Sequence, residues 1–227
     1  KGQWNLRNPR GGDLAFVEGA SIRSYLVVNF ERSCNTGVIT KFVDMFERMA
    51  RDRRMQLGRR LEIVDGTRVH QDQADAFLEE TMKRYREEER PQLVLCVIGD
   101  KLAMNAKALY PAIKRWSHSD AWQCGVPTQC VQAGKIGNPK QGGNPQYHAG
   151  VLLKVNLKLG GVNLLSPASK GGLALLREKA TIVFGVDVNH PPPSSSKPSY
   201  SALVASMDAE CAHYYSVVGA QSARKEL

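Results

Sequence analysis

Two hydrophobic periods run through the first two thirds of the chain. Continuous apolar runs such as residues 93–98 are typical of strands buried on both faces of a sheet. Apolar residues spaced by three and four, as in 38–57, indicate amphipathic helices. The pattern predicts strands at 24–30, 61–64, 93–98 and 126–131, and helices at 38–57, 74–89, 111–117 and 149–159.

The alternation of these strands and helices predicts an α/β fold: a Rossmann-like parallel sheet flanked by helices. A loop rich in Gly, Pro, Asn and Gln is predicted at 134–146, and a connector at 160–172 ends the unit. No G-x-G-x-x-G or G-x-x-x-x-G-K-[ST] pattern follows any strand, so the sequence lacks the fingerprint of a dinucleotide or P-loop nucleotide site.

The pattern changes after the connector. Residues 181–188, 200–207 and 214–218 read as consecutive strands, with a proline-rich turn between the first two. They are too few to close a domain, so we expect the opening of a second, incomplete one. Because the chain starts at Lys1 without a leader, we also expect a fragment of a longer protein. The longest apolar run has six residues, which predicts no transmembrane helix and no membrane partner.

Charge is concentrated in the middle third of the chain. The 227 residues carry a net charge of +9, and residues 91–180, with 11 basic and 3 acidic side chains, account for +8 of it. This concentration favours a polyanionic partner. The five cysteines are an odd number without a C-x-x-C pair, which indicates reduced thiols in a cytoplasmic, or also nuclear, protein.

Two groups of residues in this basic region suit an anion. Tyr110 precedes Pro111, which predicts a helix start with free amide groups, and Lys114 lies one turn further on. Lys154 and Lys158 share a helix face, and Gln129 is predicted near the end of a buried strand. A solvated helix face explains the lysine pair alone, and an ordinary helix start explains Tyr110 and Pro111 alone. The occurrence of both in one basic region favours an anion site.

Four stretches of the chain resemble the Argonaute family, in particular its fungal, quelling-type members. The K-x-N-x-K-L-G-G-x-N and D-V-x-H-P-P blocks are the most specific, and the resemblance covers essentially the whole chain. The stretches are W-N-L-R-N at 4–8, T-Q-C-V-Q at 128–132, K-V-N-L-K-L-G-G-V-N at 154–163 and G-V-D-V-N-H-P-P at 185–192.

The resemblance implies a linker at 1–20, a MID domain at 21–165, and a connector with the N-terminal part of a PIWI domain at 166–227. It implies that the MID domain binds the 5′-phosphorylated end of a small guide RNA. Tyr110 would stack on the first base, while the side chains around it would hold the phosphate. The matching phosphate-binding positions are Lys114, Gln129, Cys130, Lys154 and Lys158.

The chain departs from the family pattern in two places. Lys135 stands where the family often has Asn, so it is a candidate additional contact together with Thr128. The loop that would read the first base is longer here, running over 99–109, and it contains the candidate base-reading residues Lys101, Met104 and Asn105.

The resemblance also implies an RNase H-like fold for the second domain. Asp187 and Glu226 match catalytic carboxylates, and Asp187 would bind metal only in a complete PIWI domain. We therefore expect no cofactor in this fragment and Mg²⁺ in the full-length parent, which would cleave target RNA. Two alternatives stay open: magnesium-dependent slicing by the parent, and a platform that binds proteins of the silencing complex.

Overall fold

The computed structural model describes residues 15–100, 104–119, 125–137, 144–164 and 175–224. The chain divides between Asn163 and Leu164 into two compact units. In the described ranges no helix is both long enough and apolar enough to span a bilayer.

The first unit is built on a parallel four-stranded sheet, in the order β2-β1-β3-β4. The strands are β1 (Ser21–Asn29), β2 (Gln56–Asp65), β3 (Val94–Ile98) and β4 (Thr128–Gln132). The helices are α1 (Thr36–Asp52), α2 (Ala74–Lys83), α3 (Met104–Ser117), α4 (Ala133–Gly137) and α5 (Pro145–Lys158).

Side chains of alternate strand residues point to two separate cores, as the pleat requires. Along β3, Leu95 and Val97 pack with buried residues of α1, α4 and α5. Val94 and Cys96 pack with buried residues of α2 and α3 on the other face. The sheet is therefore covered on both faces, which explains why its strands read as continuous apolar runs. The predicted fold class is confirmed.

Several predicted boundaries are wrong for local reasons. Helix α1 begins after Asn35, whose side chain accepts from the Val38 amide, and it ends five residues before the predicted end. Arg54 takes a left-handed backbone (φ 68°), and β2 then begins at Gln56, opposite Ser21. Helix α2 ends at Lys83 rather than at residue 89.

Both ends of the predicted 134–146 loop are helical, so the loop is shorter than predicted. Helix α4 occupies its start, while residues 138–143 lie outside the described ranges. Helix α5 begins four residues earlier than predicted, because Asn144 caps it by accepting from the Gln146 amide at 2.9 Å and Pro145 suits its first turn. Residues just before β1 also belong to this unit, since Phe16 is buried and Glu18 pairs with Val162.

The second unit contains an antiparallel meander. Its strands are β5 (Phe184–Asn189), β6 (Ser199–Ser206) and β7 (Tyr214–Gln221), paired in that order after a short helix, α6 (Leu175–Glu178). The predicted three-strand pattern is confirmed. The proline-rich turn after β5 is held by a 2.8 Å contact between His190 Nδ1 and Ser199 Oγ.

Candidate anion-binding site

Helix α3 presents Tyr110 and Lys114 on one face, one turn apart. The Lys114 ammonium lies 5.5 Å from the centroid of the Tyr110 ring, a distance that allows a cation–π contact. Tyr110 is 48% exposed, whereas Lys114 is half-buried. The ring is therefore accessible beside a charge that is partly withdrawn from water.

Lys114 and Lys158 both reach the first residue of β4. Lys114 Nζ donates to Thr128 Oγ1 at 2.7 Å and to the Thr128 carbonyl at 3.0 Å. Lys158 Nζ donates to the same carbonyl at 2.7 Å and to Gln129 Oε1 at 2.9 Å. Two ammonium groups from different helices thus share one carbonyl oxygen.

The electrostatics of this arrangement are visible at Lys158. Burial of its ammonium, and then the neighbouring charge of Lys114, lower the pKa of Lys158 to about 8. Lys154, exposed one turn earlier on α5, acts in the same direction. A bound anion would offset the repulsion between these ammonium groups, so the cluster is suited to a negatively charged ligand.

Gln129 and Cys130 complete the strand side of the cluster. Gln129 is buried, and its Nε2 donates to the Cys130 carbonyl at 2.7 Å. Cys130 lies opposite Cys96 in the ladder between β3 and β4. A hydrogen bond from the Cys96 thiol lowers the pKa of Cys130, assisted by the charges of Lys114 and Lys158. The described cysteines, Cys34, Cys96, Cys130 and Cys211, are free thiols.

The predicted helix start at Pro111 is wrong. Helix α3 begins at Met104, and Pro111 lies inside it. Proline removes one helical hydrogen bond, but burial of Ala112, Ile113 and Trp116 in the core compensates. Residue 111 is therefore inside a helix and does not provide the free amide groups of a helix start.

The site lies instead at the carboxyl ends of two helices and at the beginning of a strand. Lys114 is in the last turn of α3, and Lys158 is the last residue of α5. Thr128 and Gln129 begin β4, whereas the sequence predicts that they end a strand. Lysines at helix carboxyl ends are stabilised by the dipole, so the positive charge of the site comes from side chains rather than from backbone amides.

A buried asparagine of the K-x-N-x-K-L-G-G-x-N block, Asn156, has a role that the sequence did not predict. Asn156 Oδ1 accepts from the Ala20 amide at 2.7 Å, and its Nδ2 donates to the Glu18 carbonyl and to Asn163 Oδ1, both at 3.0 Å. Asn156 therefore ties the end of α5 to the segment before β1. Its signal in the sequence was an uncharged residue between two lysines.

The two glycines of the same block allow this tie. Gly160 has a φ of 84°, the left-handed geometry that ends many helices. A Cβ at Gly161 would lie 2.3 Å from Asn156 Oδ1, so a side chain there would displace the asparagine. The block is thus a helix terminus whose geometry orients Lys158.

The remaining predicted contacts are the candidate base-reading residues and Lys135. Met104 and Asn105 are the first two residues of α3, so residues 104–109 are helical rather than part of the predicted base-reading loop. Lys101 lies outside the described residues. Lys135 is exposed on α4, and among the described residues it makes no hydrogen bond to the lysine cluster.

Of the two predicted catalytic residues, only Asp187 lies in the part of the chain that the structure describes. Asp187 is exposed within β5, opposite Ala202, rather than at a strand end. Glu226 lies outside the described residues. Within the described ranges no three His, Cys, Asp or Glu side chains form a group that could hold a metal ion. The assignment of Asp187 and Glu226 stays a prediction.

Comparison with known proteins agrees with this fold. The Piwi domain family model matches residues 93–227. Argonaute 1C of rice (Oryza sativa subsp. japonica) is 31% identical over 234 residues, covering 100% of this chain and 22% of the relative. Rice argonaute 1D is 32% identical over 231 residues, covering 100% of this chain and 21% of the relative. The chain therefore belongs to the Argonaute family, and it spans about a fifth of the length of these curated relatives.

Solved structures share the fold. The MID-PIWI domains of N. crassa QDE-2 AGO superpose with a TM-score of 0.70 at 25% identity, covering 91% of this chain and 54% of that one. Kluyveromyces polysporus Argonaute, solved with a guide RNA, gives a TM-score of 0.73 at 17% identity and covers 100% of this chain and 26% of that one. The Argonaute resemblance predicted from the sequence blocks is thereby confirmed.

Proposed function

We propose that this chain binds the 5′-phosphorylated end of a small guide RNA. The observation that carries the proposal is the convergence of the Lys114 and Lys158 ammonium groups on Thr128 beside the exposed Tyr110 ring. Two cations held this close suit a dianion such as a terminal phosphate, and an exposed aromatic ring suits a stacked base.

Tyr110 and each of the predicted phosphate-binding residues have a role in this proposal. Lys114 and Lys158 exchange the Thr128 carbonyl for phosphate oxygens, and Gln129 turns its amide group toward the same phosphate. Lys154 adds positive charge from the exposed face of α5. Cys130 supplies backbone at the edge of the site, and Tyr110 stacks on the first base.

We also infer the domain assignment and the wider partners. Residues 21–165 are a MID domain, and residues 166–227 are the connector and first part of a PIWI domain. The division of the chain between Asn163 and Leu164 and the likeness to MID-PIWI domains support this assignment. Target RNA and proteins of the silencing complex are the partners that this proposal implies for the parent protein.

The proposal is tested with short RNAs of one sequence that differ only in a 5′-phosphate or a 5′-hydroxyl. Fluorescence anisotropy should show tighter binding of the phosphorylated RNA. Each charge-assisted hydrogen bond contributes about 1.5–3 kcal/mol, so Lys114→Ala or Lys158→Ala should each reduce the preference by about tenfold or more.

The matched control is Lys41→Ala, because Lys41 is an exposed lysine on α1 outside the cluster. It should weaken both RNAs equally, as loss of a general electrostatic contact does. Equal affinity of the unchanged protein for the two RNA ends would contradict the proposal. Binding that is unaffected by Lys114→Ala and Lys158→Ala would favour a protein-interaction role instead.

A further inference from the structure

Thr128 is the common contact of the two lysines, although it is a buried residue at the start of β4. Its carbonyl accepts from both ammonium groups, and its hydroxyl accepts from Lys114 at 2.7 Å. The side chain is almost wholly withdrawn from water, with 2% of the residue exposed. A hydroxyl that is buried in this way needs a hydrogen-bond partner, and the Lys114 ammonium is that partner.

The hydroxyl reduces the competition between Lys114 and Lys158 for the shared Thr128 carbonyl. One carbonyl oxygen has two lone pairs, and two ammonium groups that both depend on it repel each other at short distance. The Thr128 hydroxyl gives Lys114 a second acceptor that Lys158 does not use, since Lys158 bonds the carbonyl and Gln129 Oε1. Lys114 can therefore stay in place without taking the carbonyl from Lys158.

The backbone under Thr128 is fixed independently of the lysines. Thr128 is paired with Val94 in the parallel ladder, and the Val94 amide donates to the Pro127 carbonyl at 3.0 Å. The acceptors of both ammonium groups are thus fixed to the sheet before any ligand arrives. Pre-placing two cations in this way reduces the ordering cost of binding.

We propose that Thr128 is a positioning residue, whose hydroxyl holds the Lys114 ammonium beside that of Lys158 so that both can bind one terminal phosphate. This inference rests on the proposed function. It differs from the role of an additional RNA contact, because Thr128 acts through Lys114 and need not touch the RNA.

The test uses Thr128→Val, which keeps the shape of the side chain and removes the hydroxyl. Lys114 then depends on the shared carbonyl, so the preference for 5′-phosphorylated over 5′-hydroxyl RNA should fall by about three- to tenfold, the low end for one hydrogen bond to a charged group. Binding of the 5′-hydroxyl RNA should not change. Thr128→Ser restores the hydroxyl and should restore the preference.

A pH series separates positioning from a structural role. The charged and titratable groups around the Lys158 ammonium are Lys114 on α3, Lys154 on α5 and Cys130 on β4. In Thr128→Val, competition from Lys114 for the carbonyl should discharge Lys158 more easily. The pH at which the preference is half lost should therefore move to a lower value, and purely structural damage would not move it.

The control is Thr81→Val, since Thr81 is also fully buried and its hydroxyl donates to the Phe77 carbonyl at 2.8 Å, within α2. It removes an equivalent hydroxyl without touching the lysines and should leave both readouts unchanged. If Thr128→Val does not fold, Thr128→Ala removes the same hydroxyl with less bulk, and the same comparison applies.

The outcomes distinguish this inference from the proposed function. If the unchanged protein prefers the 5′-phosphate but Thr128→Val keeps the same preference and pH midpoint, the positioning role is overturned and the proposed function stands. If the unchanged protein shows no preference, both are overturned. Failure of Thr128→Ser to restore the 5′-phosphate preference would also contradict the positioning role.

Discussion

The two sheets of this chain differ in how they treat their apolar side chains. In the first unit, Leu26 and Leu95 lie between two layers of helices and are at most 1% exposed. In the second unit, Val186 on β5 and Val218 on β7 are 56% and 68% exposed. The strands of both sheets are paired in hydrogen-bonded ladders, so hydrogen bonding does not explain the difference.

The comparison shows what a layer of helices contributes. A sheet buries its apolar side chains only against another layer, and the parallel sheet has one on each face. These two layers bring the carboxyl ends of α3 and α5, one from each face, to β4, where their lysines contact Thr128. Burial of apolar surface and assembly of the charged site are thus consequences of one packing arrangement.

The largest expected effect is a difference in the cost of removing equivalent leucines. Leu152→Ala on α5 should lower the free energy of unfolding of the first unit by about 2–5 kcal/mol, because it leaves a cavity in a covered core. Leu203→Ala on β6, where leucine is 39% exposed, should cost less than about 1 kcal/mol. Denaturant unfolding of both variants measures this, and equal costs would break the comparison.

The next effect concerns buried polar groups. Asn156→Ala should cost about 1–3 kcal/mol, since the Ala20 amide and the Glu18 carbonyl lose a buried partner. It should also reduce 5′-phosphate preference, because the end of α5 carries Lys158. Asn189→Ala, at an exposed position in β5, is the matched control and should change stability by no more than about 0.5 kcal/mol. An Asn156→Ala variant with unchanged stability would contradict the proposed role of Asn156 in joining α5 to the segment before β1.

A smaller effect should appear in the pH dependence of RNA binding. Lys158 has a pKa of about 8, so it is charged below that pH and becomes neutral above it. The 5′-phosphate preference should therefore fall by up to about tenfold from pH 7 to pH 9, a range in which the phosphate itself stays doubly ionised. Lys158→Arg keeps its charge over this range and should flatten the profile. A flat profile in the unchanged protein would contradict this reading.

The smallest effect is expected in acid. His148 is buried against Phe42 at 4.8 Å between ring centroids, and burial lowers its pKa below the usual value. Its stability contribution is therefore present above the ordinary histidine pKa of about 6.5 and is lost as the pH falls through the lowered value. His148→Gln should unfold with a weaker pH dependence between pH 7 and 5 than the unchanged protein. The exposed His70→Gln is the control, and an identical effect of both variants would argue against burial as the cause.

Local patterns in the sequence were enough for the elements and for parts of the site. Apolar runs predicted the four parallel strands, and the i, i+4 spacing correctly paired Tyr110 with Lys114 on one helix face. The prediction of a helix start at Pro111 was wrong because local backbone preference was outweighed by the core contacts of Ile113 and its neighbours. Element identity thus followed from short-range periodicity, whereas exact ends depended on packing.

The meeting of distant residues could not be read from periodicity. Lys114, Thr128 and Lys158 are separated by 14 and 30 positions. Only the order of strands and the packing of α3 and α5 on opposite faces of the sheet bring them together. The amino-acid order therefore set the charge of this region and the faces on which its lysines lie. Their convergence on one buried carbonyl came from tertiary packing, because a hydrogen bond between remote segments forms only after the sheet and its helices are in place.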